Sequence, residues 1–89
     1  MPPLALVPPD ELKAVLEEDG YSVAIETEYH WFLVKGGKDE PITLPKEPGE
    51  DGCVPMEIME RTLGAAQISH YKYFDLRDKA KEKIKKTWH

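Results

Sequence analysis

The chain has 89 residues, of which 33% are charged, and a formal net charge of −5. A chain of this length buries about 60–65% of its unfolded surface in one modest core, which excludes a second domain and a large cofactor-binding fold. Its single cysteine, Cys53, excludes an internal disulfide, and without a Cys/His cluster a structural zinc site lacks its ligands. We therefore expect no metal, no cofactor and a reducing, cytoplasmic setting.

The charge is unevenly distributed along the chain. Residues 1–66 carry 5 Lys/Arg against 14 Asp/Glu, whereas residues 67–89 carry 7 against 3. An acidic body repels a phosphate backbone at long range, because non-specific nucleic-acid affinity comes largely from lysine and arginine. This distribution counts against an RNA or DNA role.

The N-terminal stretch "MPPLALVPP", residues 1–9, is apolar but short, lacks a basic lead-in and contains four prolines. It predicts an extended arm rather than a signal peptide or a membrane span. The next stretch, "PPDELKAVLEEDGY", predicts a short amphipathic helix. Prolines stand at its entry, Asp10 and Glu11 in its first turn and Gly20 just past its end. Its apolar residues follow the i, i+3, i+4 spacing: Leu12, Val15 and Leu16.

Residues 21–44 have the composition of strands. "YSVAIETE" alternates in part, which predicts Tyr21, Val23 and Ile25 on one side, and "HWFLVK" continues with strand-forming residues. The dipeptide Gly36-Gly37 predicts a tight turn, and "PITLP" predicts a short third strand whose flanking prolines suit an edge. The sequence therefore predicts a three-stranded antiparallel meander.

Two helices are predicted in the remainder. After the loop "KEPGEDGC", Pro55 suits a first helical position, and one apolar stripe follows: Met59, Leu63 and Ala66. Ser69 suits the cap of a third helix, whose stripe is Tyr73, Leu76, Ala80 and Ile84. The order is α-β-β-β-α plus a C-terminal helix, which predicts an α+β domain with helices on one face of a small antiparallel sheet.

The stretches "DELKAVLEEDGYSV", "YHWFLVKGGKDEPITLP" and "MERTLGAAQIS" together resemble the HicA (YcfA-like) family of small toxins, which share a double-stranded-RNA-binding-domain-like (dsRBD-like) fold. His30 falls on the signature histidine of that family, Gly20-Tyr21 on its Gly-aromatic pair and Leu44-Pro45 on its Val-Pro. The resemblance implies a HicA-like domain over residues 10–76, preceded by the arm of residues 1–9 and followed by a basic helical tail, residues 77–89.

HicA-like toxins are mRNA interferases, so the resemblance implies an RNA substrate, a HicB-like antitoxin as partner, and metal-independent cleavage. His30 would be the general base, since histidine titrates near neutrality. Three lysines on the hairpin and the next loop would meet phosphates, and Glu28 would orient His30; the lysines are Lys35, Lys38 and Lys46. Trp31 would stack a base or, as the acidity of the chain favours, cover a partner protein. The alternative roles are a hydrogen-bonded structural histidine and solvated surface charges.

A second function stays open because the chain departs from the family pattern. Glu28 and Tyr29 stand where the family has glycine and a small polar residue, and a carboxylate there repels phosphate. The alternative is a catalytically lapsed HicA-like fold that serves as an acidic protein-interaction module. Other reactive residues predict no site: Cys53 is a free thiol, His70 a surface residue at a helix start and His89 the terminus.

Overall fold

The computed structural model describes residues 7–47, 49 and 52–87, the last five of these as backbone only. Its elements are α1 (Pro9–Glu18), β1 (Ser22–Glu26), β2 (His30–Val34), β3 (Ile42–Pro45), α2 (Met56–Ala66) and α3 (His70–Thr87). The strands form one antiparallel sheet in the order β1-β2-β3. The predicted fold class is confirmed. Predictions for residues 1–6, the Ile84 side chain and His89 lie outside the described residues.

The turns use the residues that the sequence marks. Gly37 adopts a φ of +87° in the turn after β2, and Gly20 adopts +107° just past α1, conformations that L side chains rarely occupy. Ser69 caps α3, because its Oγ accepts a hydrogen bond from the backbone N–H of Lys72 at 3.2 Å. These local signals fix where α1 and β2 end and where α3 begins.

The first strand differs from its predicted pattern. Val23 lies opposite Leu33 and Ile25 lies opposite Phe32, so Ala24 is an extra residue that forms a β-bulge. The bulge shifts the side chains after it by one position, and Ile25 is 59% exposed instead of buried with Tyr21. The predicted placement of Ile25 on the same side as Tyr21 and Val23 is therefore wrong.

The core lies between the helices and one face of the sheet. Trp31 and Leu33 of β2 and Ile42 and Leu44 of β3 are buried on that face. The helices contribute the stripes that the sequence predicts: Leu12, Val15 and Leu16 from α1, Met59, Leu63 and Ala66 from α2, and Tyr73, Leu76 and Ala80 from α3. Because helices cover only this face, the opposite face of the sheet carries no helix among the described residues.

Helix α3 packs against α1 in the antiparallel sense. Lys72, near its start, pairs with Asp19 at the end of α1, and Lys81 lies 3.9 Å from Glu11 near the beginning of α1. Between them, the hydroxyl of the fully buried Tyr73 donates to Glu11 Oε2 at 2.9 Å. Helix α3 is continuous across the predicted boundary between residues 76 and 77, and Ala80 beyond it is buried.

Truncation of the chain after Asp78 should therefore cost little stability. Among the described side chains, this change removes one buried residue, Ala80, for which burial of a methyl group contributes about 0.8 kcal/mol. The ion pair of Lys81 is long and exposed and adds little. Urea unfolding of both chains tests this prediction, and a loss of several kcal/mol would show that residues 79–89 belong to the core.

Asp19 joins three elements near one end of the sheet. Its carboxylate, with 5% of the side chain exposed, accepts from Lys35 Nζ at 3.1 Å and Lys72 Nζ at 3.0 Å. Burial raises the pKa of this carboxyl, but the hydrogen bonds and charges of both lysines outweigh it, so the pKa is lowered. The pair of lysines thus stabilises the charged form of Asp19 between α1, β2 and α3.

Replacing Asp19 by asparagine should lower the free energy of unfolding at pH 7 by about 1–3 kcal/mol, because charge-assisted hydrogen bonds are lost. A lowered pKa in the folded state stabilises the protein above the ordinary pKa of 3.8, and this contribution is lost as the pH falls through the folded-state value. Urea unfolding at pH 7 and pH 3 should show the difference from wild type shrinking in acid. Asp75→Asn, which alters an exposed pair, is the control.

No helix within the described residues is both long and apolar enough to cross a membrane.

Candidate functional site on the open face of the sheet

His30 begins β2 on the uncovered face of the sheet. Alternation along the strand places it with Phe32 and Val34, opposite in direction to the buried Trp31 and Leu33. The imidazole is half-buried and makes no hydrogen bond or ion pair with another described residue. Side-chain hydrogen bonding within the described residues therefore does not account for this histidine.

The side chains around His30 are mostly apolar. Phe32 is half-buried on the same face, and its ring centroid lies 6.3 Å from that of His30 at an interplanar angle of 40°. The strand register adds Ile25 opposite Phe32 on one side and Thr43 on the other. We call this surface the open face; it comprises Ile25, His30, Phe32, Val34 and Thr43.

The three predicted phosphate-binding lysines do not gather at His30. Lys35 follows the far end of β2, about 16 Å away at 3.3 Å per residue, and pairs with Asp19. Lys38 lies beyond the Gly36-Gly37 turn and donates to Gln67 at the end of α2. Both ammonium groups are engaged on the helix side of the domain.

Of the three lysines, Lys46 lies nearest to His30 in the sheet, because it follows Pro45, the residue that pairs with His30. Its ammonium group nevertheless pairs with Glu26 at 2.6 Å and lies 5.4 Å from the centre of the Trp31 ring. The hydrogen bond and charge of Lys46 lower the pKa of the Glu26 carboxyl. Because Trp31 and Glu26 are paired on the helix side, Lys46 also points away from the open face.

The assignment of Trp31 as a base-stacking residue is wrong. Trp31 is only 8% exposed and belongs to the core, and the ammonium groups of Lys13 and Lys46 lie over its ring at 5.2 and 5.4 Å. Phe32, one residue on, is the aromatic residue of β2 that faces outward. The i, i+2 spacing of Phe32 from His30 is the sequence signal that places both residues on the same face of the strand.

Glu28 does not orient His30, because it lies outside the strand. Residues 27–29 connect β1 to β2, and Thr27 closes this connection: its Oγ1 accepts the N–H of His30 at 3.1 Å, and its own N–H donates to the His30 carbonyl at 2.9 Å. Glu28 makes no hydrogen bond with His30 and is exposed. Thr27 thus forms the turn that precedes His30.

The connections that border the open face carry unpaired negative charge. The carboxylates there make no ion pair with another described residue: Glu28 before β2, Asp39 and Glu40 before β3, and Glu47 after β3. The open face itself contains no lysine or arginine. The open face is therefore apolar, with carboxylates in the adjoining connections and one cation, Arg61, in the surface depression that Thr43 and Glu40 also line.

The other candidate groups form no site. Cys53 is buried and lies in the segment before α2, and His70 is exposed at the first position of α3. The described residues contain no group of three or more His, Cys, Asp or Glu side chains able to hold a metal ion.

Comparison of the chain with protein-family models, with curated proteins and with solved structures found no match. The candidate site therefore depends on the residues and geometry described above.

Proposed function

We propose that the protein is a HicA-like endoribonuclease in which His30 is the general base. The observation that carries this proposal is the position of His30 on the open face, half-exposed and without a hydrogen-bond partner among the described residues. A base must reach its substrate, and an imidazole that is partly exposed and not hydrogen-bonded to another described side chain supports that role. The resemblance to HicA toxins supplies the substrate class, messenger RNA.

The reaction that this residue supports is an internal transesterification. His30 takes the proton of the ribose 2′-hydroxyl, and the 2′-oxygen attacks the adjacent phosphorus. The bond from phosphorus to the 5′-oxygen breaks, and that oxygen takes a proton from water. The products are a 2′,3′-cyclic phosphate and a 5′-hydroxyl end. Since the three predicted lysines are engaged elsewhere, the base supplies most of the rate enhancement, typically about 10²–10⁴-fold.

The test is incubation of the full chain with single-stranded RNA from low to physiological salt, in the presence of a chelator. Cleavage should leave 2′,3′-cyclic phosphate ends, and expression of the protein in cells should arrest growth. Low salt is included because weak phosphate contacts are strongest there. A protein that neither binds nor cuts RNA at any salt concentration would refute this function.

A second function is favoured by the surface chemistry of the open face. Ile25 and Val34 are 59% and 41% exposed, and the neighbouring carboxylates are unpaired among the described residues. An apolar patch with an acidic border suits a basic protein partner, as expected for a lapsed relative that acts as an interaction module. Binding of a cationic amphipathic peptide that Ile25→Glu abolishes, together with no RNA cleavage, would favour this function over the first.

A further inference from the structure

We propose that Phe32 binds the substrate by stacking an unpaired nucleobase, so that the ribose of this nucleotide lies at His30; the inference rests on the proposed function. It makes Phe32 a binding residue beside the general base. It also restricts the substrate to RNA whose base is free of a complementary strand.

The rings of Phe32 and His30 are spaced to bind the two parts of one nucleotide. Phe32 and His30 are on the same face of one strand, with ring centroids 6.3 Å apart. That separation is comparable to the distance between a nucleobase and its own ribose. A base stacked on Phe32 therefore has its ribose on the same face of the strand as the imidazole, with His30 the neighbouring ring.

The ring of Phe32 is exposed enough for a base to stack on it. Its ring is half-buried and does not belong to the core cluster, although the neighbouring residues Trp31 and Leu33 do. An aromatic ring held by a sheet and partly open to solvent is the platform on which single-strand-binding proteins stack bases. Ile25 and Thr43 are the residues opposite Phe32 on the two adjacent strands.

The charge of the open face favours binding through bases rather than phosphates. The open face has no lysine or arginine, and the carboxylates that border it are unpaired among the described residues. Cations on this surface are therefore too few for phosphate contacts to supply most of the affinity, so stacking of the bases supplies it. A duplex hides the faces of its bases and presents phosphates instead, so it is a poor ligand for this surface.

Two probes test the inference. The first is a short single-stranded RNA with 2-aminopurine at one position, whose fluorescence reports stacking, and the second is the same RNA with an abasic nucleotide there. Wild-type protein should bind the first at least about tenfold more tightly than the second, the typical effect of one stacked base. Its affinity should depend only weakly on salt, since few counterions are released.

Phe32→Leu removes the aromatic ring but keeps an apolar side chain, and it should bind the two RNAs equally. Phe32→Trp should restore the difference. Tyr71→Leu makes the same kind of change on α3, outside the open face, at a residue that is 75% exposed; it is the matched control and should behave as wild type. Urea unfolding of each variant verifies that the fold is retained, and the Leu and Trp variants allow the ring to be tested even if one of them is unstable.

Two results would overturn the inference, and they differ in what they imply. Tight binding with a steep salt dependence that Phe32→Leu leaves unchanged would show that phosphates are bound elsewhere, and RNA cleavage would still stand. No binding and no cleavage of either RNA by wild-type protein would refute the proposed function together with the inference. In that case, binding of a cationic peptide that Phe32→Leu weakens would identify the open face as a protein-binding surface.

Discussion

Replacing Tyr73 by alanine is expected to lower the free energy of unfolding by about 3–5 kcal/mol, the usual cost of deleting a buried aromatic side chain. Tyr73 is fully buried between α3 and α1, where its ring lies 5.5 Å from that of Phe74 and its hydroxyl donates to Glu11 at 2.9 Å. Burial and the neighbouring Glu11 carboxylate raise the pKa of the phenol, so it stays a donor at all ordinary pH values. Urea or thermal unfolding measures the loss.

Two variants separate the ring from the hydroxyl. Tyr73→Phe keeps the ring and removes one hydrogen bond to a charged acceptor, so it should cost about 1.5–3 kcal/mol. Tyr71→Ala removes the same residue type from the same helix at a position that is 75% exposed, and its effect should stay within about 0.5 kcal/mol. If Tyr73→Ala cost no more than Tyr71→Ala, α3 would not be docked on α1 as described.

Replacing His30 by alanine is expected to reduce RNA cleavage by about 10²–10⁴-fold and to abolish growth arrest, because the general base is lost. The fold should be retained, since the imidazole is half-exposed and makes no hydrogen bond with another described residue. We expect the free energy of unfolding to change by no more than about 0.5 kcal/mol. Cleavage rates and melting temperatures of both proteins provide the two measurements.

His70→Ala is the matched control, because His70 is an exposed histidine that begins α3 and takes no part in the proposed chemistry. It should cut RNA at the wild-type rate. Equal activity of His30→Ala and wild type would remove His30 from the mechanism. A loss of 1–3 kcal/mol in His30→Ala, without any RNA activity to lose, would instead show that the histidine is a structural residue.

The sequence predicts most of the fold because the decisive signals are local. The prolines before α1, the glycines at positions 20 and 37 and the Ser69 cap each act within a few residues of the boundary that they set. The bulge at Ala24 leaves no such signal, because Val23 and Ile25 alternate in the sequence as a regular strand would. The pairing of β1 with β2 determines where the bulge forms, and this pairing depends on residues that are distant in the sequence.

The candidate site was predictable only in part, for the same reason. Alternation shows that His30 and Phe32 share a face and that Trp31 faces the other way, but it does not show which face the helices cover. Partners of the lysines come from distant parts of the chain, as in the pair of Lys46 with Glu26, twenty residues away. A hairpin that looks basic in sequence thus has its cations bound on the opposite side of the sheet.

The bulge at Ala24 also bears on how chains of this kind can vary in length. Ala24 has no partner of its own on β2, since Val23 and Ile25 pair with adjacent residues there. Loss of this one codon would therefore straighten the strand and leave every other pairing in register. Loss of Val23 or Ile25 would also restore a regular strand, but Ala24 would then lie opposite Leu33 or Phe32, and a larger apolar side chain would be lost. Within β1, Ala24 is thus the position where a deletion is tolerated best.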